Sequence, residues 1–310
     1  LADLANCNAL IQVVDAAGST DLEGNPQGLN QPPEIARARV IEEIEFLALE
    51  LDAWIAGLLM DGWARGVRRV QAEGDKGLVS FIHDRLTGLG ATLQSVSLAH
   101  DAFRMEQPSL GSPWDWDGAV ISSLAVHLRK ALFPIHIAAN KFDVAPEGVL
   151  EGVEANGCIV PCMADVELGL RRAAGAELIE YTPGLTTFSF SESNTLNDAQ
   201  IKALAHMKER LETHNGTGVA TMLDTVLFDE LEHIVVYPVQ DENRWTDGDG
   251  KVLSDAFVVP SGIQAKALAY KVHSDLGDGF IRGVDGRSRR VVGADHELQD
   301  GDVLKIHAKS

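Results

Sequence analysis

Three short apolar runs, each closed by a polar loop and then a helical pattern, constrain the fold of this chain more than any other feature. Residues 9–17 (ALIQVVDAA) are apolar and β-branched and lead into Gly18, IHIAANKFD follows Phe133-Pro134, and CIVPCMAD follows Gly157. Strands covered on both faces read as continuous apolar runs rather than alternating ones. Repeated strand–loop–helix units set such strands parallel in one sheet. The expected class is therefore α/β, with loops opening at the carboxyl ends of the strands, where such sheets bind ligands.

A long helical stretch separates the first two runs. Ile41, Ile44, Ala48, Leu51, Ile55 and Leu58 recur at spacings of three and four, a heptad-like seam, and Val79, Ile82, Leu86 and Leu89 repeat it. The two segments are expected to pack as an antiparallel hairpin, a helical subdomain that needs no ligand of its own. Further helices are predicted over 117–131, stopped before Pro134, over 167–179, broken by the TPG of 182–184, and over 197–213, ended by Asn215-Gly216. From residue 233 the texture changes to short strands (IVVYPV, AFVVP, FIRGVD, RRVV, VLKIHA) around one helix at 263–274, a separate small α+β unit.

The chemistry is carried by Asn140-Lys141-Phe142-Asp143, which follows the second apolar run. A carboxylate at Asp143 can accept from both the N1–H and the N2 amine of guanine, neither of which adenine offers. Asn140 can brace the loop and meet the purine edge, while the alkyl stem of Lys141 covers the base face. The four-residue string alone also fits a surface turn after a core strand. Its context favours base reading, because Cys162-Met163-Ala164 ends the next strand where a loop amide can meet guanine O6. Two base-reading loops then lie on successive strands.

At this point the sequence resembles the YchF or Obg-like GTPase family, especially its archaeal branch. The resemblance rests on ANCNALIQVVDAAGSTDLEGNP, IEEIEFLALELDAWIAGLL, AANKFD, LGLRRAAGAELIEYTPG, VYPVQDENRWTDGDGKVL, LAYKVHSDLGDGFIRGVD and LQDGDVLKIHA. It implies part of a P-loop G domain over 1–33 and 112–230, a coiled-coil-like helical insertion over 34–111, and a C-terminal β-grasp TGS domain of α+β type over 231–310. It implies a GTPase acting in translation with GTP and Mg2+, and base contacts from Asn140, Lys141, Asp143, Met163 and Ala164. The loop G-x-x-x-x-G-K-[ST] does not occur. That loop, the magnesium ligands and the catalytic residues are expected upstream of Leu1, so the chain is read as an inactive fragment of its parent. In that family many members carry Glu in place of Asp143 and favour ATP, and Asp143 here resembles the guanine-selective form. Met163 stands where G proteins commonly place a small hydroxyl residue. An ATP-preferring protein and a non-catalytic ribosome- or RNA-binding module remain the alternatives.

Charge limits the partners. With 46 acidic against 26 basic residues the formal net charge is -20, which excludes broad nucleic-acid binding and makes DNA an unexpected partner. Residues 231–310 carry 10 basic and 13 acidic side chains, against 16 and 33 in residues 1–230. Any RNA or ribosome contact is therefore local, and Arg282, Arg287, Arg289 and Arg290 form the densest basic cluster. Cys7, Cys158 and Cys162 read as reduced thiols of a cytoplasmic protein, with no second ligand pair for a metal. No apolar run is long enough for a bilayer. Asp247-Gly248-Asp249-Gly250 reads as a hairpin turn rather than a calcium loop, and His273 with Asp275 as a helix cap.

Overall fold

In the computed structural model, which describes residues 7–191 and 196–309, the three apolar runs form one parallel sheet. Its strands are β1 (Leu10–Asp15), β2 (Ile135–Asn140) and β3 (Ile159–Pro161), in the order β1-β2-β3. Asp15 pairs with Asn140, and Ala139 with Pro161, so all three strands end at one level. The central strand is buried from Ile135 to Ala139, which explains its unbroken apolar sequence.

Helix α1 (Pro33–Met60) begins with Pro at its first position, where the missing N–H has no helical partner to lose. Its 28 residues span about 42 Å. The stretch from Ala36 to Leu51 buries Ala36, Val40 and Leu51 against Val14, Ile135 and Ile137, so the insertion shares the core of the sheet. The last two turns place Ile55 and Leu59 in another core with α2 (Trp63–Arg69), α3 (Gly74–Leu86), α4 (Leu93–Glu106) and α5 (Gly118–Leu132).

The expected two-helix hairpin is thus replaced by a larger bundle, in which α1 lies mainly on α5, α5 on α4 and α4 on α3. Aromatic side chains outside the heptad seam account for the difference. Trp63 stacks on Trp116 with centroids 5.7 Å apart, and Phe81 and Phe103 meet this pair edge-on. Gly66 makes room for the ring of Phe81, which a Cβ would meet at 2.1 Å. A buried ion pair, Arg129 Nε to Asp52 Oδ1 at 2.9 Å, joins α5 to α1. Asp117 accepts the Val120 amide at the start of α5, and Thr92 with Ser95 forms a reciprocal cap on α4, each worth about 1 kcal/mol.

Beyond β3, α6 (Ala164–Gly175) and α7 (Asp198–His214) enclose a third core of Met163, Val166, Leu170, Ile179, Phe188, Leu204 and Leu211. Helix α6 stops short of residue 179, since Glu177 takes a left-handed φ of 58°. Ile179 and Glu180 instead form β4, paired with β5 (Ser189–Phe190).

The chain divides into two compact units after Leu223. The second unit holds a five-stranded sheet of β6 (His233–Val239), β7 (Phe257–Pro260), β8 (Phe280–Asp285), β9 (Val291–Val292) and β10 (Val303–Ala308), ordered β7-β6-β10-β8-β9. Only β6 and β10 are parallel. Helix α8 (Ala265–Val272) packs Ala265 and Leu268 on Val236, Val259 and Leu304. Among the described residues no helix is long and apolar enough to cross a membrane.

Strand β1 has an open edge in the described sheet, and Ile11 and Val13 on it are 39% and 64% exposed. Such edges recruit other strands. The 310-residue chain should associate with rising concentration in light scattering, and Val13→Lys should suppress this. A monomer at high concentration would contradict an available edge.

Candidate functional site

Because β1, β2 and β3 end level, the loops that follow them emerge side by side. The loop after β2 is tied to the next one twice: Asn140 Oδ1 accepts the Ala164 amide at 3.0 Å, and the Phe142 amide donates to the Cys162 carbonyl at 3.0 Å. Lys141 takes a left-handed φ of 59°, and residues 142–144 form one 3-10 turn that carries Asp143. The Phe142 ring meets His214 of α7 edge-on at 5.5 Å. Asp143 is half-buried, and among the described residues no donor is bonded to its carboxylate.

Lys141 reaches across to the end of β1. Its Nζ lies 2.9 Å from Asp15 Oδ2 and 2.8 Å from Ser19 Oγ. Asp15 also accepts the Ser19 and Thr20 hydroxyls and the amides of Ala17 and Ser19. Burial opposes ionisation of this carboxyl, but the bonds from Lys141, Ser19 and Thr20 outweigh it and hold Asp15 below its ordinary value. Glu43 of α1 accepts the Asp15 amide at 2.9 Å, and burial, aided by the charge of Asp15, pushes its own carboxyl up. An open cleft of about 330 Å³ lies here, lined among others by Asp15, Thr20, Glu43, Asn140 and Lys141. Asp15–Gly18 reads D-x-x-G, a string by which GTPases hold a magnesium-linked water. Asp15 does not fit that role, because Oδ2 already faces an ammonium and two hydroxyls.

The second loop is held from behind. Met163 is 2% exposed and packs in the third core, so its side chain is structural, and its amide donates to the Thr217 carbonyl at 2.8 Å. Glu167, one turn into α6, accepts Thr217 Oγ1 at 2.6 Å, the Tyr181 hydroxyl at 2.7 Å and Arg171 Nε at 2.6 Å. Burial again opposes the charge, and these three donors overcome it, so Glu167 stays below its ordinary value. Tyr181 is pushed up to about 12 by burial and by that carboxylate. Ala164 and Asp165 are exposed at the start of α6, where the N-cap residue Met163 makes no side-chain cap and the Ala164 amide is held by Asn140.

Sequence reasoning singled out Asn140, Lys141, Asp143, Met163 and Ala164, and all five fall on these two tied loops, but the Cys162, Met163 and Ala164 amides expected to meet guanine O6 are already taken by Ala139, Thr217 and Asn140. It missed Asp15, Ser19, Thr20, Glu43, Glu167 and Thr217. The first three had a local signal, since Asp followed by small and hydroxyl residues is an Asx-turn pattern. Glu167 and Thr217 lie 50 positions apart and had none.

Comparison with known proteins shows the family. Residues 138–241 match the model described as Obg-like GTPase YGR210-like, G4 motif-containing domain, and residues 245–308 match the TGS domain. A GTP-binding protein of Methanocaldococcus jannaschii is 37% identical over 310 residues, covering 99% of this chain and 74% of the relative. The chain belongs to the YchF/Obg-like family of GTP-binding proteins. A crystal structure of a GTP-binding protein from Pyrococcus horikoshii OT3 matches 99% of this chain and 80% of its own, with TM-score 0.68 and 34% identity. The YchF GTPase of Schizosaccharomyces pombe shares the fold at TM-score 0.51 and 12% identity, over 98% of this chain and 73% of its own.

Elsewhere in this YchF/Obg-like chain, Asp247 accepts the amides of Asp249 and Lys251, closing a turn, and His273 caps α9 (Ser274–Asp278) by accepting the Asp275 amide. Cys162 is buried, and burial pushes its thiol to about 11. Arg287 bonds the Gly301 carbonyl at 2.9 Å and lies over Trp245, so it braces the TGS domain. Arg282, Arg289 and Arg290 are exposed.

Both depressed carboxyls bear on stability. A folded-state value below the unfolded one contributes stability that is present above the unfolded value and lost as pH falls through the folded one. Denaturant midpoints should therefore fall as pH drops from about 5 to below the ordinary values of Asp and Glu, 3.8 and 4.5. Asp15→Asn with Glu167→Gln should flatten that decline. An unchanged acid limb in the double variant would contradict the assignment.

Proposed function

We propose that this chain reads the guanine of GTP with Asn140, Lys141 and Asp143, as part of a GTPase whose Mg2+ and phosphate contacts come from residues outside these 310. One observation carries the reading: among the described residues no donor is bonded to the Asp143 carboxylate, on a loop that Asn140 ties to the start of α6. Guanine brings the two donors that this carboxylate lacks. Adenine brings an acceptor at N1, which a carboxylate repels. Lys141, drawn back to Asp15, lays its stem across the ends of β1 and β2, where it can cover a base. Residues 1–33 and 112–230 are proposed as the nucleotide domain and 34–111 as its insertion. Hydrolysis by such a protein is positioning and electrostatics around the γ-phosphate.

The test is competition binding by protein expressed from the complete reading frame. GTP should be preferred to ATP, and Asp143→Asn should move preference toward xanthosine triphosphate, whose C2 carbonyl needs a donor that the Asn amide supplies. An unpaired buried polar group costs about 1–3 kcal/mol, so the shift should be about five- to a hundred-fold. Equal wild-type affinity for ATP and GTP would overturn the reading.

The TGS domain is proposed to dock on RNA or the ribosome in translation, a reading supported by the exposed Arg282, Arg289 and Arg290 in an otherwise acidic chain. Replacing these three with Ala should weaken RNA binding and lower the slope of log affinity against log salt by roughly one for each phosphate no longer neutralised, leaving GTP affinity unchanged. Arg287→Ala should instead lower the melting temperature. An unaltered salt slope would return the cluster to ordinary solvated charge.

A further inference from the structure

The first turn of α6 is fixed by an arrangement that reaches well beyond the base loops. Glu167 is 4% exposed, yet it gathers Thr217, Tyr181 and Arg171, donors from three separate segments of its unit. Thr217 is itself 3% exposed, and its carbonyl holds the Met163 amide at 2.8 Å. Gly218 follows with a φ of +74°, pressed so close to the end of β3 that a Cβ would lie 1.8 Å from the Pro161 carbonyl oxygen. Residues 217–218 therefore clamp residues 161–163 from behind. From the front, Asn140 holds the Ala164 amide. With the Met163 and Ala164 amides both engaged, the donors left to a ligand at this loop are the uncapped amides that follow, beginning at Asp165.

We propose that Glu167 is a positioning residue for the purine O6 contact: acting through Thr217, it sets where the first turn of α6 presents its amides to the base. This rests on the base-reading function above and adds a division of labour. Asp143 reads the N1–N2 edge, and the Glu167–Thr217 pair places the donor for O6 without touching the ligand. A carboxylate that only filled space would need no such set of donors, and an apolar residue would do as well in a core of Val166, Leu170 and Ile179.

Altering the base one atom at a time separates this role from general stability. With protein from the complete reading frame, affinities are measured for GTP, for inosine triphosphate, which lacks the N2 amine, and for 6-thio-GTP, whose sulfur is a weak acceptor in place of O6. Glu167→Gln should weaken GTP and inosine triphosphate alike, by about ten-fold, but 6-thio-GTP by less than about three-fold. Thr217→Val should repeat this pattern and Thr217→Ser should restore wild-type behaviour, so the Thr217 pair decides the matter if Glu167→Gln does not fold. Equal losses on all three nucleotides, or no loss on GTP, would overturn the positioning role while leaving base reading intact. A wild type that does not separate GTP from inosine triphosphate would overturn base reading itself, and the inference with it.

Discussion

The hydrogen bond from the Ala164 amide to Asn140 Oδ1 is the link on which the site depends. It joins loops from two strands into one rigid edge, and it forms only because β1, β2 and β3 are parallel and end level. That alignment is set by the pairing of β1 and β3 on the central strand β2, which is buried from Ile135 to Ala139. Among the described residues, Asp143 beside it is left without a bonded donor. Sequence, sheet and chemistry thus meet at Asn140.

Charge is distributed in two ways in this protein. Most of its acidic residues lie in water and give the net charge of -20, while a few are drawn inside and fully partnered. Asp15 takes an ammonium, two hydroxyls and two amides, and Glu167 takes a guanidinium, a hydroxyl and a phenol. Buried carboxylates are costly unless so partnered. Each fastens a different loop: Asp15 draws Lys141 toward β1, and Glu167 holds the loop after β3 through Thr217.

Much of this was legible in the sequence, for reasons that differ by element. The strands were legible because buried parallel strands have unbroken apolar runs, and the TGS strands because turn residues punctuate them at short intervals. Asn140 to Asp143 was legible because its chemistry is local. The bundle around Trp63, Phe81, Phe103 and Trp116 was not, since a heptad seam describes two helices and says nothing of rings packed between four. Met163 reads in the sequence as a base contact, yet it is a core residue whose amide is taken by the Thr217 carbonyl. The clamp of Thr217 on the loop after β3 was invisible, because only the folded chain brings it to Glu167.

The most direct test of the account is a crystal structure of protein from the complete reading frame with a non-hydrolysable GTP analogue. The account predicts a guanine with N1 and N2 each about 2.7–3.2 Å from the Asp143 carboxylate, its face against the Lys141 stem and O6 toward the first turn of α6. A base bound elsewhere, or bound here with Asp143 turned away from it, would contradict the account.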